Sequence, residues 1–205
     1  MSVPTAPVRP LLTAAPSPSV GRRIALVRAG IAVLWALALV VALGDDVSRA
    51  TSELPVGAAL LLIGYPLIDV VASVVEAVRR TSARPAVHVV NAVVGLLAAV
   101  GLAVASLGSD SGAVLVVFGA WATLSGAIQL GLALHRRRAG SRQTFMVVSG
   151  GLSTVIGVAL AAMARQDEVD LSPLAGYAVG GAVLYVLWAT LGRAGAARHQ
   201  VSSRH

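Results

Sequence analysis

The sequence predicts an all-α integral membrane protein with six transmembrane helices. Hydrophobic residues make up 57% of the 205 residues and charged residues only 12%, and the mean hydropathy is +0.83. These values lie far outside the range of soluble globular domains. Six apolar stretches are each long enough to cross a hydrocarbon core about 30 Å thick as a helix, which pairs its backbone polar groups internally. Little of the chain remains for a soluble catalytic domain.

The six spans follow one another with short connections. They are predicted at Ile24 to Leu43, Leu54 to Val78, Ala86 to Ser106, Ala113 to Leu134, Phe145 to Ala164, and Leu171 to Gly192. Five prolines among the first twenty residues predict that 1–23 is a disordered, Pro-rich cytoplasmic tail. Residues 24–192 are then the six-helix transmembrane domain, and 193–205 are a short basic cytoplasmic tail.

The arginines indicate how the spans cross the membrane. All sixteen basic residues are arginines, and thirteen of them lie in the two tails and in the connections after the second and fourth spans. The connections on the other side hold two arginines and most of the acidic residues. The positive-inside rule then places both termini in the cytoplasm (N-in/C-in), with the spans paired as three hairpins by tight outer loops. The net charge of +7 thus reflects topology and does not predict nucleic acid as a partner.

The lipid bilayer is the partner that the composition predicts. Binding of anionic lipids at the cytoplasmic Arg loops, above all at the run His135 to Arg138, is an alternative to a plain orientation signal. A homo-oligomer or a partner membrane protein also stays open. Small residues recur at every fourth position in the fifth span, at Ser149, Ser153, Gly157 and Ala161. We interpret this stripe as helix packing within the chain, because a six-span bundle needs several close contacts of its own.

The second and third hairpins resemble each other at a spacing of about 55 residues. Gly64 aligns with Gly119, and after one residue of slip Gly95 aligns with Gly151. Such matches arise easily in a chain built from Ala, Val, Leu and Gly, so a triplicated hairpin is a hypothesis at this point.

A carboxylate inside the second span needs an explanation. Asp69 lies about 13 Å inside the predicted cytoplasmic boundary by helical rise, where an unpaired charge is costly. Four other polar side chains lie at a similar depth in other spans: Arg28, His88, Asn91 and Gln129. We predict that Asp69 is ionised and paired with Arg28, with help from Asn91 or Gln129. This cluster either fixes helix register as a buried network or lines a cytoplasm-facing cavity in which Asp69 and His88 titrate.

No pattern in the sequence predicts an enzyme. It contains no phosphate-binding Gly-rich loop followed by Lys, no His pair at metal-binding spacing and no Ser in a nucleophile elbow. The four histidines are scattered and Cys is absent. We therefore predict no catalytic residue, no metal site and no cofactor.

One hairpin carries a family resemblance. The stretch FGAWATLSGAIQLGLALHRRRAGSRQTFMVVSGGLSTVIGVALA, from Phe118 to Ala161, resembles the HdeD-like family of small six-span bacterial membrane proteins. The likeness lies in a Gly-rich span with a Trp and a Gln that runs through a short basic loop into a second Gly-rich span. The resemblance implies a six-span architecture in the bacterial cytoplasmic membrane, and it suggests a role in acid or envelope stress. It assigns no residue a role.

Two other functions remain open on the sequence. One is a small transporter or channel that uses the polar cluster around Asp69. The other is an accessory subunit whose partner carries the activity. Because polar residues are nearly absent from the outer halves of the spans, we favour the structural interpretation of the cluster.

Overall fold

A computed structural model describes residues 18–44, 54–78, 85–135, 140–166 and 169–202. Within these ranges all regular secondary structure is helical, and the described residues between the helices form turns and short loops. The helices are α1 (Pro18–Leu43), α2 (Val56–Val78), α3 (Pro85–Leu107), α4 (Ser111–His135), α5 (Gly140–Met163) and α6 (Ser172–Ser202). Each contains a segment long and apolar enough to cross a membrane. The described residues therefore confirm the all-α prediction and contain six helices that are long and apolar enough to span a membrane.

The first and last helices are longer than the hydropathy pattern predicts. α1 begins at Pro18 and not at Ile24, so residues 18–23 belong to the helix and not to a disordered tail. Proline suits the first position of a helix because its fixed backbone angle is already helical. α6 continues past Gly192 to Ser202, through an alanine-containing segment that favours helix although it is polar. Residues 1–17 of the predicted tail lie outside the described ranges.

The helices pack as a closed ring in chain order. Each helix contacts its neighbours in the sequence, and α6 returns to contact α1. Around the ring, extensive contacts alternate with sparser ones. They are extensive between α4 and α5, α2 and α3, and α6 and α1, and sparser between the other neighbours. The ring therefore consists of three helix pairs, and these pairs are shifted by one helix from the three hairpins that the outer loops suggested.

Four glycines bring α4 and α5 into backbone contact. A Cβ added at Gly157 would lie 2.5 Å from the backbone nitrogen of Thr123 and 2.6 Å from the carbonyl oxygen of Gly119. A Cβ at Gly150 would lie 2.8 Å from the carbonyl oxygen of Gly126, and Gly119 and Gly126 are equally crowded. In a membrane, such close approach is a main source of attraction between helices, because lipid removes the hydrophobic drive.

The small-residue stripe of α5 faces α4, which agrees with the prediction that it packs helices within the chain. The Ser153 hydroxyl donates to the carbonyl oxygen of Ala122 at 3.0 Å, and Ser149 hydrogen-bonds with Gln129. Gly157 and Ala161 both lie against Gly119. The stripe thus packs α5 against α4 within one chain.

The other two pairs use smaller contacts of the same kind. In the α2–α3 pair, a Cβ at Gly95 would lie 2.7 Å from a methyl group of Val70 and 3.2 Å from the carbonyl oxygen of Pro66. In the α1–α6 pair, Ala29, Ala32 and Ala182 form a buried cluster. Small side chains at each interface let the three pairs form.

We predict that Gly157→Ala destabilises the protein by about 1–3 kcal/mol, because the added methyl group has no space between α4 and α5. Gly151→Ala is the matched control, since a Cβ there meets nothing within 4 Å. Alanine favours helix over glycine, so the control is expected to be neutral or slightly stabilising. Denaturant unfolding in detergent micelles measures both. Equal stability of the two variants would contradict the close contact.

Candidate functional site

Five aromatic side chains meet at the centre of the ring. The rings of Tyr65, Trp121 and Tyr177, from α2, α4 and α6, contact one another at centroid distances of 5.7, 6.4 and 6.5 Å. Phe118 contacts all three, and Trp35 of α1 lies 4.4 Å from Tyr65. We call these five residues the central aromatic cluster. The chain has only eight aromatic residues, so most of them are concentrated here.

The cluster follows a threefold internal repeat. The same spacing, 56 residues, separates Tyr65 from Trp121 and Trp121 from Tyr177. One turn before them, Leu62, Phe118 and Leu174 have the same spacing, and each of these three side chains is fully buried. Equivalent positions on α2, α4 and α6 therefore meet in layers at the centre. This supports the triplicated hairpin, and neither the layers nor the aromatic cluster was predicted from the sequence.

The layers divide the interior of the bundle into two halves. We call the end where α2 and α4 finish and α3 and α5 begin the basic end, because the sequence places the arginine-rich connections there. The opposite end is the acidic end. Between the cluster and the acidic end the interior is closely packed and mostly apolar, with fully buried Leu39, Leu102, Leu115 and Leu160 among its side chains. Its buried polar atoms include the Ser106 hydroxyl of α3.

Polar side chains occupy the other half, between the cluster and the basic end. Asp69 follows Tyr65 by one turn of α2 and is half-buried. The Asn91 amide, from α3, donates to the Asp69 carboxylate at 2.7 Å and to the Ser73 hydroxyl at 2.9 Å. The carboxylate therefore lies towards the interior, with Asn91 as a direct hydrogen-bond donor, as the sequence suggested.

Arg28 contacts α6 in this structure. Its guanidinium lies 5.9 Å from the centroid of the Tyr185 ring, and a guanidinium nitrogen is 3.5 Å from the Tyr185 hydroxyl. Arg28 is exposed, and the contacts described for it go to Tyr185 and not to Asp69. Tyr185, Phe145 and Trp188 form a second aromatic group. The centroid of the Phe145 ring lies 5.7 Å from that of Tyr185 and 5.9 Å from that of Trp188. The expected pairing of Arg28 with Asp69 is thus replaced by a contact between α1 and α6.

Gln129 contacts α5. Its amide hydrogen-bonds with the Ser149 hydroxyl and lies 3.4 Å from the carbonyl oxygen of Met146. Gln143, at the start of α5, also bonds to the carbonyl oxygen of Ala133. These bonds join α4 to α5 near the basic end.

The predicted five-residue cluster is therefore distributed over the three helix pairs. Asp69 and Asn91 join α2 to α3, Gln129 joins α4 to α5, and Arg28 joins α6 to α1. His88 is half-buried on α3, one turn before Asn91. The reason for these contacts is the packing of the six helices in a ring. A polar side chain on one helix contacts the adjacent helix before it can reach a helix on the opposite side of the bundle.

Two buried polar groups on α4 have no hydrogen-bond partner. They are the indole nitrogen of Trp121 and the Ser125 hydroxyl, one turn apart on the stripe of α4 that faces the centre. In the repeat, Ser125 is equivalent to Asp69, since 56 residues separate them. Buried donors without partners are rare and require an explanation, such as another conformation or a bound molecule.

The described residues contain no group of three His, Asp or Glu side chains that are close enough to hold a metal ion. No protein family, no curated protein and no solved structure matches this chain in comparison searches.

We predict that a double-mutant cycle with Asp69→Ala and Asn91→Ala gives a coupling energy of about 1 kcal/mol, because the two side chains share a hydrogen bond inside the membrane segment. The matched cycle with Arg28→Ala and Asp69→Ala should give a smaller coupling, because Arg28 contacts Tyr185. Thermal unfolding in detergent measures both cycles. A larger coupling for Arg28 than for Asn91 would contradict this arrangement and restore the predicted ion pair.

Proposed function

We propose that this protein is a non-enzymatic, multi-pass protein of the bacterial cytoplasmic membrane that binds a proton or small ligand at Asp69 from one side only. Both termini are cytoplasmic in this proposal, so Asp69 is reached from the cytoplasm. The arginine asymmetry supports the orientation. The observation that carries the proposal is the position of the central aromatic cluster between a polar half and an apolar half of the interior.

Binding agrees better with this interior than conduction does. A pathway across the membrane needs polar groups or water in both halves. Here the acidic half is filled by leucines with no exposed surface, such as Leu39, Leu102 and Leu115. An ion that reached Asp69 from the basic end would meet five packed aromatic rings next. An intramembrane carboxylate in such a closed position suits a bound proton or ligand.

A small transporter is the second candidate, and one observation favours it. Trp121, in the cluster, and Ser125, one turn closer to the basic end, each leave a buried polar atom without a hydrogen-bond partner. In a second conformation, these two atoms would form hydrogen bonds and the aromatic rings of the central cluster would move apart. Asp69 would then be accessible from the acidic end. Alternating access of this kind is common among membrane proteins built from internal repeats.

We also propose that the protein has a role in acid or envelope stress. Two observations support this role: the resemblance to the HdeD-like family and the carboxylate of Asp69 in the interior. Protonation of Asp69 at low cytoplasmic pH would remove the charge that Asn91 now contacts. In a strain that depends on the protein for survival, Asp69→Asn should alter survival in acid. The control Asp110→Asn changes a carboxylate that caps α4 through the Ala113 amide at 2.8 Å, outside the interior.

The orientation can be tested with single cysteines, because the chain contains none of its own. We expect a Cys at Ser141, in the first turn of α5 after the arginine-rich connection, to be protected from an impermeant thiol reagent in intact cells. A Cys at Gln166, an exposed residue after α5, should react. The reverse pattern would place the termini outside.

Transport is tested in proteoliposomes that contain a pH-sensitive dye. We expect the purified protein to give no proton or alkali-cation flux above that of empty vesicles, because the cluster closes the interior. Trp121→Ala removes ring volume at the centre and is expected to create a leak, whereas Trp188→Ala, in the second aromatic group, is the matched control. Flux through the wild-type protein that Asp69→Asn abolished would contradict the binding proposal and favour the transporter.

A further inference from the structure

The repeat position of Asp69 leaves open space in the polar half of the interior. Its equivalents, at intervals of 56 residues, are Ser125 of α4 and Gly181 of α6. Each of the three follows a ring of the central aromatic cluster by one helical turn, so each lies on the face of its helix that is turned to the centre. Gly181 is half-buried, and a Cβ added there would meet nothing within 4 Å. At this level the interior therefore has room for a small molecule beside α6.

Arg28 faces the same half of the interior. It precedes Trp35, of the central aromatic cluster, by seven residues, so both side chains lie on one face of α1. Ala32 lies between them on that face and is buried, whereas Arg28 is exposed near the basic end. Its guanidinium contacts Tyr185, which follows Gly181 by one turn of α6. The guanidinium thus borders the space at Gly181 on the side of the basic end.

Asp69 and Arg28 place opposite charges at two neighbouring levels of this half. Tyr185, which Arg28 contacts, lies one turn closer to the basic end than the level of Asp69, or about 6 Å by helical rise. Asp69 accepts a hydrogen bond from the Asn91 amide. Because an ionised carboxylate can accept about four hydrogen bonds, this bond does not preclude a donor from a ligand.

From this arrangement we infer that the space binds a small zwitterion of the amino-acid type. The ammonium group of the ligand donates to Asp69, and its carboxylate accepts from Arg28. A simple cation would be repelled by the guanidinium and a simple anion by the carboxylate, whereas a molecule with both charges is complementary to both. Charge-assisted hydrogen bonds of about 2.8 Å at each end, joined by a short spacer, bridge a gap of this size. The inference rests on the proposed function, because it names the class of small ligand that Asp69 binds.

The melting temperature of the purified protein in neutral-detergent micelles tests the ligand class, since its dependence on ligand concentration gives an apparent Kd. The probes are glycine, β-alanine and 4-aminobutyrate, which separate the two charges by increasing distances. We expect at least one of them to bind with a Kd below about 1 mM. It should bind about tenfold more tightly than the matching amine without the carboxylate, and than the matching carboxylic acid without the amine.

Two variants assign the two ends of the ligand. In Arg28→Gln the zwitterion and the matching amine should bind equally, because the ligand's carboxylate has lost its partner. Arg23→Gln is the matched control, since Arg23 is also exposed on α1 but lies on another face of the helix. In Asp69→Asn the zwitterion should bind no better than the matching carboxylic acid, whereas Asp110→Asn, at the start of α4, should leave the preference unchanged.

Proton uptake on acidification of the micelle solution separates this inference from the proposed function. If Asp69→Asn removes one bound proton while no zwitterion binds more tightly than its two halves, the proposed function stands and the inference is wrong. A zwitterion whose preference over its halves survives both Arg28→Gln and Asp69→Asn binds elsewhere, which also overturns the inference. If neither proton uptake nor ligand binding depends on Asp69, both proposals fail.

Discussion

The contact of Tyr65, Trp121 and Tyr177 at the centre is the constraint on which this bundle depends. A ring of six helices encloses a central space that must be filled, because an empty space forfeits the dispersion contacts of its lining. Three helix pairs each contribute one large ring at the same level, and Leu62, Phe118 and Leu174 fill the next level. Large side chains fill the central space, whereas small residues at the pair interfaces let the two helices of each pair approach closely.

The central cluster also explains why the interior is asymmetric. It separates a half filled with leucines from a half in which Asp69, Asn91 and Ser73 share hydrogen bonds. A carboxylate at this depth is tolerated because Asn91, on the adjacent helix, donates a hydrogen bond to it. The same polar contacts that join the helix pairs therefore leave one ionisable group turned towards the centre.

Hydropathy predicted the spans, and small-residue spacing predicted that the stripe of α5 packs helices within the chain, because both depend on local composition and helical period. The ring order was not predictable in this way, since hydropathy does not reveal which helix lies beside which. For the same reason Arg28 and Gln129 were expected near Asp69, whereas they contact Tyr185 and Ser149. The equal spacing of Tyr65, Trp121 and Tyr177 was available in the sequence. The notion of a repeat of about 55 residues rested on glycines, which are frequent here and gave a weaker signal than the rare aromatic residues.

Closure of the ring by its first and last helices tests the account most directly. Cysteines at Ala32 of α1 and Ala182 of α6 would lie in one buried cluster, in a chain otherwise free of cysteine. The measurement is the yield of intrachain crosslink after treatment with a short bifunctional thiol reagent in membranes, compared with a Cys pair at Ala32 and Gly151. The account predicts efficient crosslinking within one chain for the first pair and little for the second. Absence of the first crosslink, or its formation only between chains, would contradict a ring of three helix pairs closed around the aromatic cluster.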